Sequence, residues 1–195
     1  ADSVSPDTLF EIHAVNSHAN STVSSDGERV FATFPTCGLI AYDLAGSRLW
    51  EFKHEPIRWY FGGASSPILV DSTVIIIVNS DEDPRIVGLN CVSGDTAWTI
   101  RAPDEEWASF NMRSTPVMRN NLMILHFHWA VAAYNMNNYT PEWWIGLPTT
   151  CIGTPVIAGD TMYLNAWTQM GEDKVNGIDF TFDEYLGFYD VNQDR

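Results

Sequence analysis

The sequence predicts an all-β protein made of β-propeller blades, each a four-stranded antiparallel sheet. Two observations predict this fold. A unit of about 45 residues recurs along the chain, which is a period typical of propeller blades. The composition is also rich in aromatic residues and poor in charge, with eight Trp, ten Phe and seven Tyr but only 18% charged residues. Such a composition, with thirteen Gly and ten Pro to form turns, favours strands.

The repeat has two sets of landmarks. The first set is a pattern of a small residue, one intervening residue, Asp or Asn, a short turn and then a Trp. It occurs at Ala41–Trp50, Gly88–Trp98 and Ala133–Trp143. The second set falls between these segments and consists of Ser66-Pro67, Thr115-Pro116 and Thr154-Pro155, with Asn20 to Val23 in the equivalent place of the first unit. The alternation of the two sets indicates at least three complete units.

The second unit shows how one blade forms. Thr73–Val78 is a β-branched run that is apolar on both faces, as expected for a strand in a sheet packed between two others. The predicted strands of this unit are Pro67–Val70, Thr73–Val78, Arg85–Asn90 and Thr96–Ile100. In the first unit they are Val30–Phe34, Gly38–Asp43 and Leu49–Phe52, and the fourth unit supplies only Thr154–Ile157 and Thr161–Ala166.

These units define the expected domain organisation. Residues 1–170 form a partial propeller of about 3.5 blades, with blades at about 20–55, 64–102 and 113–147 and a half blade at 152–169. Residues 171–195 form a tail, in which Thr181–Tyr189 is predicted to be a short helix because Phe182, Leu186 and Tyr189 would share one face.

The Trp of each repeat is predicted to be structural. Asp or Asn caps the turn with its side chain, and Gly supplies a positive φ or a close approach. The Trp that follows would lie flat between two blades and bury a large area. We therefore expect Trp50, Trp98 and Trp143 to dock neighbouring blades together.

These segments resemble the tryptophan-docking repeats of the PQQ-like (quinoprotein-type) β-propeller family. Asn16–Thr22, followed by Asp26–Phe31, resembles one bacterial group of that family, which is extracytoplasmic and often carries an EF-hand-like segment after the propeller. The third repeat departs from the pattern because it lacks the Gly and has Asn138-Tyr139-Thr140-Pro141 in its place. The resemblance implies about eight blades, a periplasmic or secreted location, and completion of the ring by the remainder of the propeller or by other chains.

The tail contains the candidate metal ligands. Asp190, Asn192 and Asp194 match positions 1, 3 and 5 of an EF-hand loop. Arg195 stands at position 6, where Gly is expected, and the Glu of position 12 is absent. This truncated EF-hand-like loop is therefore expected to bind calcium poorly or not at all.

The sequence does not assign catalytic residues. By resemblance, a PQQ dehydrogenase needs a Ca²⁺ site, an Asp base and often two adjacent cysteines, whereas Cys37, Cys91 and Cys151 are far apart and are expected to be buried free thiols. PQQ binding is therefore not expected. His126 and His128 place two imidazoles on one face of a strand, which could form half of a metal site. No third ligand is identifiable, and the alternative is a pair that lines a loop or the channel wall.

Charge limits the classes of partner. The net charge of −15 argues against nucleic acids, because phosphate binding requires Lys and Arg. No apolar run approaches the roughly 20 residues that cross a bilayer. The leading hypothesis is a non-catalytic binding or scaffold module that contacts proteins. The alternatives are a fragment of a PQQ-dependent oxidoreductase and a structural assembly unit that pairs through open blade edges.

Overall fold

The structure is a computed structural model, and it describes residues 2, 4, 9–58, 62–80, 83–101, 113–128, 130–146 and 153–165. The regular elements in these ranges are strands. Those of the first two sheets are β1 (Ser24–Ser25), β2 (Arg29–Phe34), β3 (Gly38–Asp43), β4 (Arg48–Phe52), β5 (Ile68–Val70), β6 (Thr73–Val78), β7 (Arg85–Asn90) and β8 (Thr96–Arg101). Those of the last two are β9 (Val117–Arg119), β10 (Leu122–Phe127), β11 (Ala130–Asn135), β12 (Thr140–Gly146), β13 (Val156–Ala158) and β14 (Thr161–Tyr163).

The strands form consecutive antiparallel meanders. The first sheet is β1–β4, the second β5–β8 and the third β9–β12, each with its strands in chain order, and β13–β14 form a two-stranded fourth sheet. This arrangement confirms the predicted fold class, an all-β partial propeller. The predicted helix at Thr181–Tyr189 lies outside the described residues.

The middle strands agree with the sequence prediction, whereas the first strand of a sheet begins later than predicted. β5 begins after Pro67 and β13 begins after Pro155, because proline has no N–H to donate to the neighbouring strand. β14 ends at Tyr163 rather than Ala166, and Ala166 is outside the described residues.

Each four-stranded sheet has the same irregularity between its third and fourth strands. The register shifts after Ala41, Gly88 and Ala133. These are the small residues of the sequence pattern, and they pair with Trp50, Trp98 and Trp143 respectively. A small residue opposite each Trp leaves room for the indole to lie against the sheet.

The turns between third and fourth strands are capped by Asp or Asn side chains, as the sequence predicts. Asp43 Oδ1 accepts a hydrogen bond from Ser47 N–H (2.7 Å), which lowers the pKa of Asp43. Asn90 Oδ1 accepts from Val92 N–H (2.9 Å). The side chain therefore replaces backbone partners that the turn would otherwise leave unpaired.

The sheets pack face to face in chain order. In the second sheet, Val74, Ile76 and Val78 belong to a buried cluster shared with the first sheet, whereas Ile75 and Ile77 belong to one shared with the third. Alternate side chains of a strand point to opposite faces. Burial on both faces therefore explains why β6 is apolar at nearly every position.

No helix within the described ranges is long and apolar enough to cross a membrane.

Candidate functional site: the joints between sheets

We call the contact between one sheet and the next a joint, and number the joints in chain order. At the first joint Trp50 reaches from β4 to the β7–β8 turn, where its Nε1–H donates to Cys91 O (3.1 Å). Its indole lies on Gly94, where an added Cβ would come within 2.6 Å of the ring. Gly94 also has a φ of 78°. Both features favour glycine at this position.

At the second joint Trp98 takes the corresponding place with a different partner. Its ring stacks on Tyr139 of the β11–β12 turn, with ring centroids 5.1 Å apart and an interplanar angle of 27°. Tyr139 adopts a φ of 61°, so this residue takes the left-handed conformation that Gly94 has in the preceding turn. A ring stacked on the indole thus replaces the glycine missing from the third repeat.

At the third joint Trp143 packs beside the fourth sheet. It belongs to a cluster that also contains Ile157, Met162 and Leu164 of the fourth-sheet segment. The three predicted Trp residues therefore all lie at joints between successive sheets.

A second set of contacts, which we call the hydroxyl ladder, crosses all three joints. Backbone N–H groups donate to a hydroxyl of the next sheet's segment: Thr22 to Ser66 (3.0 Å), Ser66 to Thr115 (3.0 Å) and Thr115 to Thr154 (3.3 Å). Each of these residues lies two positions before the first strand of its sheet. The sequence showed the recurring Ser/Thr-Pro landmark, but its role in joining sheets was not predicted.

The hydroxyl ladder predicts the effect of a nearly isosteric substitution. Thr115→Val keeps the volume but removes the acceptor for Ser66 N–H, and we expect a loss of about 1 kcal/mol in the free energy of unfolding. Thr115→Ser keeps a hydroxyl and should lose less. Urea denaturation measures both, and equal losses would contradict a hydrogen-bonding role for Thr115.

Ion pairs also cross the joints. Arg85 contacts Glu55 of the first blade's C-terminal segment (3.0 Å) and Asp83 of its own blade (3.1 Å). Arg101 contacts Asp83 (3.0 Å), and its hydrogen bond lowers the pKa of the Asp83 carboxyl. Arg119 and Asp160 pair across the third joint (2.6 Å). The Arg85–Glu55 and Arg119–Asp160 pairs therefore join blades, whereas Asp83 pairs with Arg85 and Arg101 inside the second blade.

The Asn16–Thr22 stretch, which carries part of the family resemblance, ties the entry segment to the residues before β5. Asn20 Nδ2 donates to Gly63 O (3.4 Å), and Ser21 Oγ donates to Ser65 O (2.9 Å). Asn16 lines a cavity of about 480 Å³ between the entry segment and the β2–β3 turn. The cavity's further lining includes Leu9, Ile12, His18, Phe34 and Cys37.

The predicted metal and cofactor groups do not come together in the described residues. Asp190, Asn192 and Asp194 lie outside them. His126 is fully buried at the third joint and His128 follows the end of β10, and within the described ranges no three His, Cys, Asp or Glu side chains are placed to hold a metal ion.

The two described cysteines do not match the arrangement that the resemblance associates with PQQ. Cys37 is half-buried in the β2–β3 turn, and Cys91 is buried at the first joint. Burial raises the pKa of the Cys91 thiol, which keeps it protonated and unreactive. The described residues therefore do not fit a quinone site with adjacent cysteines, and Cys151 lies outside them.

Comparison with known proteins identifies related sequences and folds. A PQQ-like family model described as outer membrane protein assembly factor BamB matches residues 13–138. No curated protein sequence matches the chain. Among solved structures, BamB from Moraxella catarrhalis has a TM-score of 0.57 and 16% identity, with 72% of this chain and 43% of that chain covered.

Two enzymes have similar structures. The quinohemoprotein alcohol dehydrogenase from Comamonas testosteroni has a TM-score of 0.56 and 14% identity, with 72% of this chain and 30% of that chain covered. The quinohemoprotein alcohol dehydrogenase ADHIIG from Pseudomonas putida HK5 has a TM-score of 0.51 and 13% identity, with 72% of this chain and 21% of that chain covered. At these identities the similarity shows the fold alone. This chain spans less than half the length of each of these proteins.

Proposed function

The chain belongs to the PQQ-like family whose model is described as the outer membrane protein assembly factor BamB, and we propose that it is a non-catalytic propeller module of a larger extracytoplasmic protein. The module would act as a scaffold through protein–protein contacts. Its first partner would be the remainder of the propeller, because the matched structures are more than twice as long as the aligned part.

The observation that carries this proposal is the open face of the fourth sheet. Val156 and Tyr163 pair across β13 and β14, and they are 60% and 59% exposed. The residues equivalent to Tyr163 in the second and third sheets are Ile75 and Ile124, which are 0% and 3% exposed because the following sheet covers them. An apolar pair at a position that is otherwise covered indicates a surface for a further blade.

Within this module we propose that Trp50, Trp98 and Trp143 are docking residues that fix each blade to the next. The support is that each indole lies opposite a small residue of its own sheet and contacts the following one. A large aromatic area buried in this way contributes more than the single hydrogen bond of the hydroxyl ladder at the same joint.

The alternative that the chain is a fragment of a PQQ-dependent oxidoreductase is favoured by the similarity to two quinohemoprotein alcohol dehydrogenases. A titration of the full chain with PQQ in the presence of Ca²⁺, followed by tryptophan fluorescence and quinone absorbance, separates the two functions. A non-catalytic module should show no saturable binding, and Ca²⁺ alone is the control. Stoichiometric PQQ binding would overturn the scaffold proposal.

The alternative that copies of the chain assemble through open blade faces is tested by native mass spectrometry. A module that requires the remainder of a propeller should remain a monomer of 21.9 kDa. Assembly through the fourth sheet predicts an oligomer that dissociates in the variant Val156→Lys with Tyr163→Lys. Such an oligomer would mean that the partner of the fourth sheet is a second copy of this chain rather than the remainder of a propeller.

Calcium binding by Asp190, Asn192 and Asp194 remains a proposal. A loop without glycine at position 6 and glutamate at position 12 should bind Ca²⁺ weakly. In calorimetric titration with Ca²⁺, the full chain and the double variant Asp190→Asn with Asp194→Asn should therefore give nearly the same small heat. Tight binding that disappears in this variant would show that three ligands of the loop suffice.

A further inference from the structure

The third joint contains a fully buried histidine. The side chain of His126 is 0% exposed and projects from β10 on the same face as Leu122 and Ile124, which pack against the fourth sheet. Its Nδ1 lies 3.0 Å from Gly153 O, just before β13. A carbonyl only accepts hydrogen bonds, so Nδ1 carries the proton and donates. His126 therefore ties the third sheet directly to the segment that leads into the fourth.

The other ring nitrogen has no partner among the residues that the structure describes. His126 Nε2 is buried without a hydrogen bond. In the neutral ring this nitrogen holds a lone pair, whereas in the imidazolium form both nitrogens are donors. A second proton would thus place a charged N–H where it finds no acceptor, and burying such a group is costly.

The described residues that pack around His126 offer no compensating negative charge. The residues that pack at this joint are apolar: Leu122, Ile124, Val131, Ala133, Trp143, Ile157, Met162 and Leu164. Arg119 and Asp160 pair with each other at the opposite end of the strands, and Glu142 on β12 accepts a hydrogen bond from Asn135.

At the His126 end, the ionisable groups that the structure describes on neighbouring segments are Arg113 and His128, which are both cationic when protonated. Burial lowers the pKa of His126, and burial followed by the charge of Arg113 lowers the pKa of His128. Neither neighbour can offset a positive charge on His126.

Counted over the described residues, the third joint is also the smallest of the three. Its cluster contains three buried residues, whereas the clusters of the first and second joints contain nine and ten. The fourth sheet is therefore held by the smallest apolar cluster. It should be the first sheet to open when one of its polar links fails.

We propose that the third joint is a pH-sensitive hinge, at which protonation of His126 releases the fourth sheet from the third. The proton enters at Nε2, and the buried cation is relieved when the segment of residues 153–165 moves away and admits water. The hinge does not depend on the partner proposed above, because every group it uses lies in the described joint.

The direction of the pH effect follows from the lowered pKa. Below the ordinary histidine value of 6.5 the released state binds more protons than the docked state, so docking is favoured above this pH and weakens as pH falls. One proton taken up on opening makes the docking equilibrium fall by at most about tenfold per pH unit.

Hydrogen–deuterium exchange of the full chain, corrected for intrinsic exchange, tests the hinge between about pH 8 and about pH 5. Amides of β13 and β14 should lose protection as pH falls below 6.5, while those of β6 keep theirs. His126→Asn retains an N–H donor but does not titrate, and its β13–β14 protection should not change with pH. The control His54→Gln, at a half-buried histidine outside the third joint, should keep the wild-type response.

The hinge is refuted if wild-type β13–β14 protection is independent of pH, or if His126→Asn shows the same dependence. Should His126→Asn fail to fold, the assigned imidazole carbon signal of His126 in the wild-type chain provides the second measurement. A titration midpoint well below 6.5 supports the hinge, and a midpoint at or above this ordinary value overturns it.

Discussion

Replacing Gly38 by Ala is expected to lower the free energy of unfolding by about 2–5 kcal/mol. Gly38 begins β3 with a φ of 107°, which disfavours any residue that has a Cβ. An added Cβ would lie 2.0 Å from Phe52 O and 3.1 Å from Lys53 Cα. Because both contacts are with backbone, the clash can be relieved only by separating β3 from the end of β4.

Two other glycines isolate the part of this loss that comes from φ alone. Gly27 and Gly46 have φ values of 90° and 86°, and an added Cβ would meet nothing within 4 Å at either position. Gly27→Ala and Gly46→Ala should therefore cost only about 1–2 kcal/mol. Urea denaturation of the three variants measures the difference, and a Gly38→Ala loss no greater than the two controls would contradict the close approach of β3 and β4.

Trp50→Ala is expected to cost about 3 kcal/mol, at the lower end of the range for removing a large aromatic side chain because Trp50 is only half-buried. The substitution removes the ring that covers Gly94 and the contact with Phe31, whose ring centroid lies 5.8 Å from that of Trp50. It also leaves Cys91 O without the indole donor.

The variant Trp50→Phe separates packing from hydrogen bonding. Phe retains an aromatic ring at the joint but cannot donate to Cys91 O, so it should cost about 1 kcal/mol for the hydrogen bond and a further part for the smaller ring. Equilibrium unfolding should rank the wild type above Trp50→Phe and Trp50→Phe above Trp50→Ala. Nearly unchanged stability of Trp50→Ala would mean that the indole does not hold the first two blades together.

The sequence predicts the repeat and its middle strands well because they obey strong local rules. β3, β6 and β7 have their predicted bounds, since β-branched and apolar runs between turn residues leave few alternatives. The Asp43 and Asn90 caps follow in the same way, because an Asp or Asn side chain at the first position of a turn can accept from nearby backbone N–H groups.

The contacts between blades were less accessible from the sequence. The recurring position of Ser66 and Thr115 marks the start of each sheet, but it does not reveal that their hydroxyls accept hydrogen bonds from the preceding blade. Nor does it reveal that Tyr139 adopts a positive φ in place of glycine, because intrinsic preference disfavours that conformation and the stacking with Trp98 becomes visible only in the folded chain.

The histidines show the same limit. Alternation along β10 places His126 on the face shared with Ile124, but the pattern alone indicates a pair of imidazoles rather than a buried link to Gly153. Which backbone carbonyl meets a side chain depends on how two sheets pack. Packing between elements distant in sequence is therefore where the structure adds most to the prediction.

A double-mutant cycle between Trp50 and Gly94 tests the central claim, that a Trp of one blade docks on the turn of the next. Gly94→Ala alone should lower the free energy of unfolding more than Gly46→Ala does. Both positions have a positive φ, but only the added Cβ at Gly94 would also meet the Trp50 indole, at 2.6 Å. In the Trp50→Ala background the cost of Gly94→Ala should fall to about that of Gly46→Ala, giving a coupling of about 1–3 kcal/mol. Additive losses would show that Trp50 does not lie on Gly94, and would contradict docking of blades through tryptophan.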